Sequence, residues 1–312
     1  MITLNVEPNI VKTLNRFIKE NPPYSVALDG YVKAKSKIIV TEKGPYANFD
    51  HHYYVDRLTT RCTARQVYDR IKLRSFKSFV ENGELTANLH VNDCDQDVCS
   101  AVWFFYNQNK IKEDKWSPLI TRFIGVIDLL DSFCGFYPFP RDSEILKELG
   151  WIFELYNNAR FEEKLDKMSA EDKKELIMNT LTRISCYVDG RGEKIGINDG
   201  YERIGGNKNW IVLRELGPHA RGRIFREGYD LFVSVREREN NRLSYSIIKV
   251  IPNDDISFKE LSEKLNKADN FSESGLEKWY HSNMILASPR DIGSGIVPMS
   301  LEKILNDFLE KN

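Results

Sequence analysis

Apolar segments that end in acids, interleaved with helical patterns, constrain the fold of the first 140 residues most strongly. Asp29 directly follows the apolar segment 24–28, and Asp93 comes soon after the apolar segment 85–91. Segment 61–72, which lies between them, carries apolar residues at helical spacing. Alternating strands and helices favour an α/β fold with a mainly parallel sheet and helices on both faces. Such sheets bind ligands at the carboxyl ends of their strands, so the sequence predicts an acidic binding edge.

Two further parts are predicted after this first domain, which is assigned to residues 1–140. Residues 142–187 are strongly charged and carry apolar residues at helical spacing, so 141–190 is predicted to be a helical connector. Glycines then become frequent, and short alternating segments follow. This pattern predicts a smaller α+β domain, with a mostly antiparallel sheet, over residues 191–312.

Net charge, apolar content and cysteine content limit the class of protein and the compartment that we expect for this chain. The formal net charge is −1, from 45 basic and 46 acidic residues, which argues against a generally basic nucleic-acid binder. The first residues lack the pattern of a signal peptide, and no apolar run reaches the roughly 20 residues that span a bilayer. The five cysteines form no CxxC pair, as is typical of reduced thiols. We therefore expect a cytoplasmic protein with no membrane partner.

The triplet Asp50-His51-His52 places an acid before two adjacent histidines. The chain has five histidines in all, so two side by side after an aspartate indicate a function for this position. Read singly, each residue is also typical of a turn or a strand cap. The triplet gains weight from a second motif further along the chain.

That second motif consists of Asp93, Asp95 and Asp97, which stand at alternate positions. Alternate residues of an extended segment point to one side, so the three carboxylates are expected to converge. Carboxylates this close repel one another unless a cation lies between them. Mixed carboxylate and imidazole ligands point to manganese, with magnesium, cobalt or iron as alternatives. Two such ions about 3.5–4 Å apart activate a water and stabilise charge on a phosphoryl group.

Together the motifs resemble those of the DHH phosphoesterase superfamily, which is named for the Asp-His-His triplet. Its members carry a D-x-D or D-x-D-x-D motif, a lone aspartate that ends a strand, the triplet, and a further aspartate. The matching residues here are Asp93, Asp95 and Asp97, then Asp29, then Asp50-His51-His52, and finally Asp128, with Asp131 as the competing choice. In this chain the triplet precedes the D-x-D-x-D motif, so the resemblance is to a circularly permuted arrangement. Four strand ends are then expected to deliver acids.

The resemblance implies roles for these residues in a centre of two manganese ions. One ion would be held by Asp93, Asp95 and Asp29, and the other by Asp97, Asp29, His51 and Asp128. His52 would face the substrate, and Asp50 would orient His51 from behind. His90 is left open between a place at the metal and packing within a strand.

Residues of the C-terminal domain are candidates for binding the substrate. Segment 281–295 resembles a diverged form of the glycine-rich signature that many DHH proteins carry in a C-terminal domain. The candidates are Arg290, Ser288, Ser294, Gly295 and His281, together with Arg221 from the basic run 217–226. Serine- and glycine-rich turns bind phosphate oxygens through backbone N–H groups, and arginine adds a bidentate contact. The alternatives are an ordinary loop for the first segment and a solvated hairpin edge for the second.

We therefore predict a two-metal-dependent phosphoesterase, an enzyme of phosphodiesterase or nuclease type. Its substrate would be a phosphodiester of a nucleotide, a cyclic dinucleotide or a short oligonucleotide, attacked by a metal-bound hydroxide. The alternatives are a manganese-dependent pyrophosphatase or phosphomonoesterase, and a catalytically silent metal- or nucleotide-binding module. The sequence leaves the oligomeric state open, a homodimer included.

Overall fold

The chain divides into two compact units, Met1–Ile197 and Asn198–Asn312. The structure is a computed structural model that describes residues 1–113, 117–135, 137–238, 241–249, 256–269, 278–282, 284–289 and 292–310. The helices predicted as a connector belong to the first unit. Their residues Leu176, Ile177 and Ile184 are buried in its core, which explains why this segment does not stand apart.

The first unit contains seven strands and eight helices in its described part. The strands are β1 (Ile2–Val6), β2 (Ser25–Leu28), β3 (Lys37–Thr41), β4 (Gly44–Phe49), β5 (Val80–Glu81), β6 (Glu84–Leu85) and β7 (Ala87–Val91). The helices are α1 (Leu14–Glu20), α2 (Thr63–Lys72), α3 (Gln96–Tyr106), α4 (Gln108–Lys112), α5 (Ser117–Ser132), α6 (Glu144–Ile152), α7 (Glu154–Phe161) and α8 (Ala170–Val188).

The main sheet of this unit has the strand order β1-β7-β2-β4-β3. The pairings β1–β7, β7–β2 and β2–β4 are parallel, and β3 pairs antiparallel with β4 at the edge. The α/β fold expected from the sequence is therefore confirmed in general. Strands β1 and β4 were not among the predicted strands. Four parallel strands place four carboxyl ends, and the loops that follow them, along one edge of the sheet.

Segment 119–130, which carries Asp128 of the fourth motif, departs from the expectation that four strand ends deliver acids. It forms most of helix α5, so three acidic segments follow strands and the fourth lies on a helix. Periodicity alone does not separate a buried helix from a buried strand, which explains the error. Helix α1 begins at Leu14, because the side chain of Thr13 caps it by accepting a hydrogen bond from the Arg16 N–H.

Helix α3 is the centre of the core of the first unit. Nine of its eleven residues are buried, Trp103 and Phe104 among them. The Trp103 Nε1–H donates to the Ser185 hydroxyl of α8 at 2.9 Å, which satisfies the polar atom of this buried ring. A helix buried on nearly all sides reads as a continuous apolar run in the sequence, as the segment VCSAVWFFY does.

His90 of β7 is packed between aromatic rings rather than at the acidic edge. Its side chain lies 5.4 Å from the Phe17 ring and 5.6 Å from the Tyr31 ring, centroid to centroid, and it is 6% exposed. Neither ring nitrogen has a hydrogen-bond partner among the described residues, and Glu7 Oε2 lies 3.6 Å from Nδ1. Burial lowers the pKa of His90 below its ordinary value, and the nearby Glu7 carboxylate offsets this only in part.

Acidification is expected to destabilise the protein through His90. Below the ordinary histidine value of 6.5, the unfolded chain binds a proton at this position that the folded chain binds less readily. The free energy of unfolding should therefore fall as the pH drops below 6.5, with a limiting slope of about 1.4 kcal/mol per pH unit. Urea unfolding at pH 7.5 and 5.5 should show a smaller loss for His90→Gln than for the wild type. An equal loss in both would contradict the assignment.

The second unit is built on one sheet. Its strands are β8 (Tyr201–Gly206), β9 (Trp210–Glu215), β10 (Leu231–Glu237), β11 (Leu243–Lys249), β12 (Tyr280–His281) and β13 (Ile285–Ala287), and its helices are α9 (Ala220–Arg226), α10 (Phe258–Ala268) and α11 (Pro298–Leu309). The strand order is β12-β13-β11-β10-β9-β8, and all pairings are antiparallel except β9–β10. Helix α9 joins the two parallel strands, because parallel neighbours need a crossover. The alternative of a hairpin edge for the basic run 217–226 is therefore wrong.

In the described part of the chain, no helix has both the length and the apolar character needed to cross a membrane.

Candidate metal centre

The acidic edge of the first unit is formed by segments that follow three neighbouring strands. Asp29 follows β2, the triplet that begins at Asp50 follows β4, and the acids that begin at Asp93 come after β7. The Asp29 N–H donates to the Phe49 carbonyl at 2.9 Å, so the parallel pairing of β2 and β4 continues to the point where the acids begin. Helices α2 and α5 contribute the remaining groups. The strands thus deliver acids to one place, as the sequence led us to expect.

His51 is the centre of this cluster. Its side chain is fully buried, and its Nε2 lies 2.8 Å from Asp131 Oδ2, 3.5 Å from Asp29 Oδ1 and 3.8 Å from Asp97 Oδ2. Even the shortest of these contacts lacks the direction of a hydrogen bond, so neither ring nitrogen has a hydrogen-bond partner in the described part of the chain. Asp131 Oδ2 is likewise without one. Buried polar atoms usually have a hydrogen-bond partner, so these atoms are places where a water or an ion would bind.

Two groupings of potential ligand atoms share His51. One consists of His51, Asp97 and Asp131, and the other of Asp29, His51 and His52; within each, the ligand atoms lie within 4.8 Å of one another. An imidazole among carboxylates suits a divalent transition metal such as manganese. Both groupings therefore fit a metal ion by the chemistry of their donors.

The start of helix α2 fixes two of the acids. Asp97 accepts hydrogen bonds from the Thr63 and Ala64 N–H groups, both at 2.7 Å, and Asp128 accepts one from the Cys62 N–H at 2.8 Å. The first N–H groups of a helix have no partner within the helix, and the helix dipole favours negative charge there. The helix end therefore positions Asp97 toward His51 while one lone pair on each of its oxygens stays free for a metal.

The two aspartates of α5 have different partners. Asp128 accepts hydrogen bonds from the Cys62 N–H and from the Arg61 guanidinium, each at 2.8 Å. Asp131 faces His51, and its Oδ1 accepts a hydrogen bond from Arg57 Nη2 at 3.1 Å. Burial raises the pKa of Asp131, but the neighbouring His51 and Arg57 outweigh burial and hold this pKa below its usual range. Of the two candidates that the sequence left open for the fourth motif, the structure brings Asp131 to the histidine and not Asp128.

The acids 93–97 do not lie on one extended strand. Strand β7 ends at Val91 and α3 begins at Gln96, so the predicted alternation of Asp93, Asp95 and Asp97 on one side is wrong. Asp95 caps α3 by accepting from the Val98 N–H at 2.8 Å, whereas Asp97 lies in the first helical turn.

Like charges shape the ionisation of this segment. Burial raises the pKa of Asp95, and the charges of Asp29, Asp93 and Asp131 raise it further. Burial also raises the pKa of Asp97, and the carboxylates of Asp131, Asp29 and Asp95 act in the same direction. The carboxylates of this segment therefore repel one another, which is the condition that a bound metal ion relieves.

Asp50 holds His52 rather than His51. Its carboxylate accepts from the Gly30 N–H and the Tyr53 N–H, both at 2.9 Å, and lies 3.1 Å from His52 Nδ1. The role predicted for Asp50, orienting His51, is therefore corrected. The His52 side chain is 34% exposed, so its ring reaches the surface of the cluster. Burial lowers the pKa of His52, but Asp29 and Asp50 outweigh it and raise the pKa to about 9.

Arg57 is a component of the cluster that sequence reasoning missed. Its Nη2 donates to the Asp131 carbonyl at 3.0 Å and to the Asp131 carboxylate, and the side chain is 29% exposed. Its Nε has no hydrogen-bond partner among the described residues. The signal available in the sequence was the arginine content of the segment that follows the triplet, at positions 57 and 61.

The substrate candidates of the second unit are mostly engaged within that unit. The Ser288 hydroxyl accepts from the Tyr245 N–H at 2.9 Å, the Ser294 hydroxyl donates to Asp269 at 2.6 Å, and the Gly295 N–H donates to Asp269 at 2.8 Å. Arg221 donates to the buried Glu215 at 2.7 Å. His281 is exposed, and Arg290 lies outside the described residues. Their role toward a substrate stays a prediction.

No protein-family model and no solved structure matches the chain. A curated protein-arginine kinase of Clostridium novyi (strain NT) is 27% identical over 139 residues. The match covers 44% of this chain and 39% of the relative, so the chain spans about two-fifths of the relative's length. The relative is by its name a kinase, a class that transfers phosphoryl groups rather than hydrolysing phosphodiesters. This finding contradicts the predicted phosphodiesterase, and that prediction is corrected.

Proposed function

We propose that this chain is a divalent-metal-dependent enzyme that transfers phosphoryl groups, with a nucleotide as the donor. One observation carries the proposal: the imidazole of His51 is fully buried, lacks hydrogen-bond partners in the described part of the chain, and is faced by three carboxylates. An imidazole that faces several carboxylates suits a divalent transition metal, whereas His90, whose ring nitrogens also lack partners among the described residues, is packed between aromatic rings. The similarity to a kinase supports phosphoryl transfer as the reaction.

A metal ion would be held by His51, Asp97 and Asp131, with Asp29 as the neighbouring carboxylate. Manganese is the ion that this set of ligands favours, with magnesium or cobalt as alternatives. When bound, the ion acts as a Lewis acid on a phosphoryl oxygen. The likeness to the DHH superfamily belongs to the proposal only as a description of how these acids and histidines are arranged.

His52 and Arg57 are the groups that this chain would present to a phosphoryl group. His52 directs Nδ1 to Asp50, so Nε2 is the nitrogen left to contact a substrate oxygen. Arg57 is anchored on Asp131 through Nη2, which leaves the rest of a partly exposed guanidinium for an anionic oxygen. Guanidinium groups bind phosphate oxygens in a bidentate manner and stabilise charge during phosphoryl transfer.

Transfer from ATP tests the proposed function. With manganese and [γ-³²P]ATP, the wild type is expected to transfer label to protamine, an arginine-rich protein. Arg57→Ala should lower the rate by about 100-fold, the usual cost of removing one group that stabilises developing charge. Arg61→Ala is the matched control, because Arg61 pairs with Asp128 away from His51 and is 64% exposed.

The control variant is expected to keep the wild-type rate within about threefold, because the Arg61 side chain is largely exposed and its partner Asp128 belongs to neither grouping of ligand atoms at His51. A manganese-loaded wild type that transfers label neither to protamine nor to water would contradict the proposed function. Equal losses in the Arg57 and Arg61 variants would contradict the role of Arg57.

A further inference from the structure

Lys173 brings a buried positive charge to the acidic edge. It lies near the start of α8 and is 4% exposed. Its Nζ lies 3.5 Å from Asp93 Oδ1, and no other acceptor contacts this ammonium group within the described residues. A buried ammonium group is costly unless it is paired, so its place beside Asp93 indicates that the acids hold it there.

Asp93 stands apart from the carboxylates around His51. Its side chain is 44% exposed, and one oxygen accepts both from the Cys94 N–H at 2.8 Å and from Lys173. It belongs to neither grouping of ligand atoms that contains His51. The charges of Asp29 and Asp93 both act on Asp95, so these three acids are electrostatic neighbours. They are also the three residues assigned to the first of the two ions that the sequence predicts.

We infer that the Lys173 ammonium group takes the place of a second metal cation at Asp93. The centre then binds one ion tightly, at His51, Asp97 and Asp131, and a second ion only weakly. A divalent ion beside Asp93 would be repelled by the ammonium group and would have to displace it from its carboxylate. The inference rests on the metal centre of the proposed function. It replaces the expectation of two ions with one tightly bound ion and one weakly bound ion.

Counting bound manganese tests the inference. Equilibrium dialysis followed by elemental analysis is expected to give about one tightly bound ion per chain for the wild type and about two for Lys173→Met, because removing the ammonium group should raise the second affinity at least tenfold. Lys173→Arg keeps the charge and should stay at about one. The double variant Lys173→Met/Asp93→Asn should return to about one, since it lacks the acid freed by the first change. Electron paramagnetic resonance separates an isolated ion from a coupled pair.

The outcomes distinguish this inference from the proposed function. A wild type that binds no manganese would remove the metal centre and both proposals with it. A wild type that binds two ions with similar affinity, or a Lys173→Met variant that stays at one, would overturn the inference and leave the proposed function standing. Should Lys173→Met fail to fold, Lys173→Gln removes the same charge and decides: about two ions would support the inference, and about one would overturn it.

Discussion

Replacing His51 with alanine is expected to lower the affinity for manganese by at least about 100-fold, because it removes the one imidazole that both groupings of ligand atoms share. A ligand that binds the folded state stabilises it by about 2.7 kcal/mol at a concentration 100 times its dissociation constant. The wild type should therefore gain about this free energy of unfolding at such a manganese concentration, and His51→Ala should gain almost none. Urea unfolding with and without manganese, together with a calorimetric titration, measures both effects.

His281→Ala provides the matched control, because it removes an exposed histidine from the second unit. This control should show the full manganese-dependent gain in stability. If His51→Ala were stabilised by manganese as much as the wild type is, the ion would be bound elsewhere and the centre described above would be wrong.

The same substitution at Asp128 and Asp131 is expected to have opposite consequences. Asp131→Ala should weaken manganese binding by about 100-fold or more, because it removes a carboxylate that faces His51 at 2.8 Å. Asp128→Ala should leave the manganese affinity nearly unchanged and lower the free energy of unfolding by about 2–3 kcal/mol, because it leaves the Cys62 N–H buried without an acceptor.

Titration with manganese and urea unfolding of both variants separate the two effects. Retained binding in Asp131→Ala together with lost binding in Asp128→Ala would restore the assignment of Asp128 as the metal ligand. Two variants with the same pattern of effects would show that the two carboxylates act as one group.

The sequence was sufficient to locate the acidic edge because strand ends and their acids are close in the chain. Asp29 and His51 were assigned to one site from local motifs and the family resemblance that these motifs carry, and parallel pairing of β2 and β4 brings them together. Asp128 and Asp131 could not be separated in this way. One helical turn lies between them, and only the direction in which α5 packs decides which one faces the histidine.

The cations of the site were beyond the reach of sequence patterns for a different reason. Arg57 acts on a residue 74 positions away, and Lys173 on one 80 positions away. Neither belongs to a motif, and a basic residue in a charged segment is usually a solvated one. Whether a polar side chain of the second unit is available to a substrate depends on whether another group of that unit already binds it. Ser294 shows this, since its hydroxyl is already bound to Asp269.

The start of helix α2 has a consequence for how the first unit opens. The backbone N–H groups of Cys62, Thr63 and Ala64 each donate a hydrogen bond to a carboxylate on another helix, Asp128 of α5 or Asp97 of α3. Their protons can exchange with solvent deuterium only when α2 separates from α5 or α3, and not through fraying of a single helix end. Slow exchange of these three adjacent amide protons would therefore report that the three helices separate together. A ligand that binds Asp97 would slow this exchange further.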